Sequence, residues 1–100
     1  MSEQKYTFTF VEGYDDDPEL SRIKGWVSGV LTFPDSRMYS LYFVTLQRLV
    51  QDASDQLSSA SFYAEENMII VNDIERNIIL SSVSDIVSSG YVACLVEDRS

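Results

Sequence analysis

Between Lys24 and Leu57 the apolar residues change from every second position to steps of three and four, which confines the chain to a sheet with at least one helix laid on it. Lys24 to Phe33 and Arg37 to Val44 are strand-like runs. Pro34-Asp35-Ser36 separates them, with Pro fixing φ and Asp able to bond the local backbone, so a hairpin is expected. Val27, Leu31 and Phe33 share one face of the first run, and Tyr39, Leu41 and Phe43 one face of the second. Trp26, Val30, Tyr42 and Val44 lie on the reverse sides, which predicts a hairpin covered from both sides. Thr45 is placed to cap the following helix, whose stripe is Leu46, Leu49, Val50, Ala53 and Leu57. Arg48, Gln51, Asp52, Asp55 and Gln56 make up its solvated face.

The remaining elements follow from the same rules. Lys5 to Val11 alternates as a strand, and the polar stretch Glu12 to Leu20 is a loop that closes with one helical turn, capped by Asp17 with Pro18 at the first helical position. Ala60 to Tyr63 is expected to be a short strand, and Met68 to Val71 a central, well-covered one. Asn72 and Glu75 have capping-box spacing for a second helix, starting after Asn72 or after Ile74, with Ile79, Val83, Ile86 and Val87 as its buried stripe. Gly90 ends that helix, Tyr91 to Val96 is expected to return beneath it as a buried strand, and the tail Glu97-Asp98-Arg99-Ser100 to fray. The expected fold is α+β, a single domain over residues 1–100 in the order βββαββαβ. It has one mainly antiparallel sheet of about six strands, with two helices packed on one face.

A hydrophobic content of 45% is enough to build a core, whereas sixteen acidic against seven basic side chains leave a net charge of −9. That charge opposes binding to nucleic acid and to anionic membrane surfaces and favours a basic protein partner, although solubility alone would also account for it. No apolar run approaches the ~20 residues needed to cross a bilayer, and Met1 to Lys5 lacks the features of a secretory signal, so the expected location is cytoplasmic.

Catalytic residue types are scarce. There is no histidine, and the one cysteine, Cys94, lies in an apolar run where a buried small hydrophobe is expected. Asp15, Asp16 and Asp17 with Glu12 and Glu19 lack the alternating spacing of a calcium loop, because Gly13 precedes the run, so no metal or cofactor is expected. Glu65 and Glu66 sit on a turn, and the serines from Ser81 to Ser89 have neither histidine nor a nearby lysine to activate them. Gly25 and Gly29 fall inside a strand pattern, marking a bulge or the close approach of another backbone. Their spacing would bare the sheet beside Trp26, which with Asp15, Asp16 and Asp17 becomes the candidate partner-binding surface, a core role for Trp26 being the other reading.

Arg48, Leu49, Gln51 and Asp52 at a helix start, Phe62, Tyr63 and Glu65 at a turn, Ile70 and Val71 in a strand, and Gly90-Tyr91 after a helix make the C-terminal half resemble a group of small uncharacterised bacterial proteins of unknown function. In size and charge the chain is also similar to bacterial immunity proteins, small acidic inhibitors of a cognate toxin. The first resemblance implies no activity. The function expected from the sequence is a small non-catalytic protein-binding module, in the form of a bacterial inhibitor or immunity protein. The alternative is a structural or regulatory homo-oligomer in which an exposed strand such as Lys5 to Val11 pairs with its copy.

Overall fold

The computed structural model describes residues 5–98. Four strands, β1 (Thr7–Phe10), β2 (Trp26–Thr32), β3 (Met38–Thr45) and β4 (Met68–Val71), form one sheet in that order. The helices are α1 (Pro18–Lys24), α2 (Leu46–Leu57) and α3 (Arg76–Ser89). The first three strands pair antiparallel, while β3 and β4 run parallel, so the α+β class holds with a mixed sheet.

Register decides which side chains meet. Phe8 lies opposite Leu31, Gly29 opposite Leu41, and Phe43 opposite Ile69, which places them on one face of the sheet. There α3 lays Ile79, Val83 and Val87 against Val27, Leu31, Leu41 and Phe43 in the core. Each such side chain contributes about 1.5–3 kcal/mol when fully buried, so this layer carries most of the hydrophobic stabilisation. Gly29 makes room within it: a Cβ there would stand 2.3 Å from the Phe8 ring. The reverse face carries Trp26, Tyr42, Val44, Met68 and Ile70. It receives α2, the crossover that a parallel pair needs, whose Asp52, Asp55 and Gln56 share a depression with Tyr42 of this face.

Several expectations are corrected. Among the described residues the sheet has four strands, not about six. Ala60 to Tyr63 forms no strand, since its short serine-containing run offers too little apolar surface to hold a sheet edge, and Phe62 is left exposed. Tyr91–Cys94 is a 3₁₀ turn where a last strand was expected, and Cys94 is consequently exposed. The position beside the second half of β3 is already filled by β4, so the tail reaches only its first half. Asp98 donates its amide to the Met38 carbonyl at 2.7 Å, and the Ser40 hydroxyl donates to the Asp98 carboxylate at 2.7 Å. The Asn67 amide joins the two segments: its Nδ2 donates to the Ser40 and Val96 carbonyls, and its Oδ1 accepts from the Val96 amide at 2.8 Å. Asp98 is therefore tied down where fraying was expected, and 99–100 lie outside the described residues.

Three helices lie on both faces of the sheet, in place of two on one face. The crossover from β3 to β4 puts α2 opposite α3. Asn72 and Glu75 form no capping box: α3 starts at Arg76 without a side-chain cap, because Ile74 turns inward, fully buried, and its carbonyl accepts from the Tyr14 hydroxyl. β4 is an edge strand, not a central one, and Ile70 is 53% exposed. The Asp17 and Thr45 caps do form, accepting from the Leu20 and Arg48 amides respectively. Gly90 ends α3 in the left-handed conformation. Among the described residues no helix is long and apolar enough to cross a membrane.

Candidate functional site

At about 100° per residue, α2 turns Arg48, Leu49, Asp52 and Ala53, its half-buried positions, toward the sheet. Leu46, Val50 and Leu57 lie roughly a third of a turn away, and they are 60%, 58% and 52% exposed. No side chain of this 12-residue helix is buried. The cause is polar. Arg48 donates from Nε to Asp52 at 2.9 Å and from Nη1 to the Lys24 carbonyl at 3.3 Å, which ties one side of the helix toward the end of α1. Asp52, Asp55 and Gln56 share a depression of about 240 Å³ with Tyr42, Tyr63 and Glu65, and burial pushes the Tyr42 hydroxyl above its ordinary pKa. The face expected to be solvated thus lies partly inward, and the edge of the apolar stripe faces out.

Trp26 is half-buried, opposite Val44 in register, with its ring centroid 6.0 Å from that of Tyr42 at a tilt of 49°. The two glycines do not bare it. Gly29 points to the α3 side, under Phe8, and Gly25 ends α1 in the left-handed conformation. Trp26 instead lines a depression of about 260 Å³ with Val11, Tyr14, Asp17, Leu20 and Lys24, so the structure brings Asp17 and Trp26 together. Asp15 points elsewhere, pairing with Arg76, whose guanidinium lies 5.0 Å above the Phe10 ring. Phe10 in turn stacks on Tyr14 at 4.1 Å, and burial raises the pKa of the Tyr14 hydroxyl, with Arg76 opposing the shift.

A third feature had no counterpart in the sequence reading. A groove of about 490 Å³ lies beyond the carboxyl ends of β3 and β4, with Arg22, Lys24, Thr45, Arg48, Asn72 and Asp73 among the residues lining it. Arg22 and Asp73 form a near-bidentate pair with a shortest contact of 2.9 Å, and this hydrogen bonding holds the Asp73 carboxyl below the usual carboxylate range. Among the described residues no group of three or more histidine, cysteine, aspartate or glutamate side chains could hold a metal ion.

Comparison of the chain with protein-family models, with curated proteins and with solved structures finds no match.

The outward side of α2 was missed because periodicity gives the width of an apolar stripe but not its rotation about the helix axis. The one available signal was Arg48 followed by Asp52, a pair placed to hold one flank of the helix.

Proposed function

We propose that the chain is a small, acidic, non-catalytic protein-binding domain that engages its partner with the outward side of α2. The observation that carries this reading is the exposure of Leu46, Val50 and Leu57, each by more than half, on a helix with no buried residue. An amphipathic surface helix ordinarily spends its apolar stripe on its own core. Here three large side chains remain in water, where covering them would contribute about 25 cal/mol per Å² of apolar surface removed from solvent. An apolar groove on the partner would receive them in the helix-in-groove manner. The net charge of −9 favours a partner with a positive field, to which Asp15, Asp16 and Asp17 contribute steering and beside which Trp26 offers an aromatic contact. A bacterial inhibitor or immunity protein is the form of this reading that size and charge favour.

A structural or regulatory homo-oligomer is the second reading, and the open outer edges of β1 and β4 favour it. One substitution separates the two. Val50→Asp is expected to leave urea stability within about 0.5 kcal/mol of the parent, because the side chain is already exposed, while abolishing recovery of a specific partner from the native host. Sedimentation of the purified parent is expected to give a monomer. Undiminished recovery with Val50→Asp would overturn the α2 reading, and a concentration-dependent dimer of the purified chain would favour self-association.

A further inference from the structure

We propose that the groove beyond the carboxyl ends of β3 and β4 binds a small anion, the carboxylate or phosphate head of a compact organic ligand. Topology places the groove. β3 and β4 are parallel neighbours, yet the chain leaves β3 into α2 on one face and leaves β4 toward α3 on the other. Connections that diverge from adjacent parallel strands open a crevice between them, and in open sheets this is where ligands bind. At about 490 Å³ the groove falls within the range of small-molecule sites, about 300–1,000 Å³.

Charge identifies the ligand class. In a chain where acids outnumber bases sixteen to seven, this groove gathers Arg22, Lys24 and Arg48 against one lining acid, Asp73. Arg22 is engaged by Asp73 through Nε and Nη2 and, more loosely at 3.7 Å, by Glu19. Lys24 has no ion-pair partner among the described residues. Arg48 is held by Asp52 and by the Lys24 carbonyl, which fixes the plane of its guanidinium before any ligand arrives and lowers the entropy cost of using its remaining N–H groups. Thr45, Gln47, Gln51 and Asn72 add neutral polar groups on the walls. The first turn of α2 carries no acid that would compete, so its dipole reinforces the cations. Ile23, 76% exposed, and Leu46 flank the groove and provide apolar surface for an organic body attached to the anion. The negative field of the whole chain does not cancel this site, because charges beyond about 8 Å are largely screened at physiological salt.

The test is an amide-resolved NMR titration of the intact chain with sodium phosphate and, separately, with sodium acetate, each against sodium chloride at matched ionic strength. Saturable shifts centred on Leu46, Gln47 and Asn72 are expected, with a dissociation constant of roughly millimolar order for so small a probe. Lys24→Gln and Arg48→Gln are each expected to weaken binding about fivefold or more, with the spectrum of the β2–β3 hairpin unchanged as the control for folding. Saturation by phosphate alone assigns a phosphoryl head, by acetate alone a carboxylate, and by both their shared chemistry. Shifts that stay linear, that chloride reproduces, or that survive in the Lys24→Gln/Arg48→Gln double variant would overturn the proposal. Lys24→Gln leaves the apolar side of α2 intact, so this result does not depend on the protein-binding reading.

Discussion

Replacing Gly29 by alanine tests the close approach of β1 to β2, and its sign is informative. Gly29 sits in the middle of β2, and its backbone is not in the left-handed region, so conformational entropy alone would make alanine stabilising by about 0.5–1 kcal/mol. The packing predicts the opposite. An added Cβ would lie 2.3 Å and 2.8 Å from two atoms of the Phe8 ring and 2.9 Å from the Thr9 carbonyl oxygen. The ring can swing only by disturbing its edge-on contacts with Phe10 and Phe43, at centroid distances of 5.1 and 5.8 Å, and the carbonyl can move only with the strand. Overpacking of this kind costs about 1–3 kcal/mol, leaving Gly29→Ala destabilised by about 1–2 kcal/mol after the entropy gain. Phe8→Leu removes the ring but not the carbonyl, so the double variant should recover part of that cost, with a coupling of about 1 kcal/mol. Urea titrations followed by circular dichroism give all four corners of the cycle. A Gly29→Ala protein more stable than the parent, or costs that add within about 0.3 kcal/mol, would refute the seating of Phe8 over Gly29.

Two further outcomes follow from the core and from the groove. Ile79→Ala should cost about 2–5 kcal/mol, because Ile79 is fully buried, whereas the exposed Ser84→Ala should stay within about 0.5 kcal/mol; similar values for the two in a denaturant titration would mean that α3 presents another face. The Asp73 carboxyl is lowered from 3.8 by its hydrogen bonds to Arg22, so its contribution to stability is full above that value and is lost as pH falls through the lower folded value. Asp73→Asn should therefore be less stable than the parent at neutral pH, and the gap should close in strong acid; a gap independent of pH would refute the pairing.

The hairpin, α2 with its Thr45 cap, β4 and the Gly90 stop were all legible in the sequence, because each rests on a local signal: a turn composition, a helical period, a capping hydroxyl or a glycine. What failed was decided by partners distant in the chain. Tyr91 to Val96 has the composition of a strand, but β4 already occupies the second half of β3, leaving only its first half, which Asp98 reaches. Asn72 and Glu75 have the spacing of a capping box, but Ile74 between them is drawn into the core under Tyr14. The groove was illegible for the same reason. Arg22 and Lys24 lie far along the chain from Arg48, and only the divergence of α2 and α3 from two parallel strands gives them a common cavity.

β4 also recasts the meaning of the acidity. Met68-Ile69-Ile70-Val71 is an uncharged, largely β-branched apolar run at the rim of the sheet, the kind of segment that seeds ordered aggregates when two copies meet edge to edge. Its four-residue length and the carboxylates at Glu65, Glu66 and Asp73 around it act as gatekeepers, and mutual repulsion of chains at −9 keeps such rims apart in solution. Near the isoelectric point of about 4.1 that repulsion vanishes. The same carboxylates thus set the lower pH limit of the chain's colloidal stability.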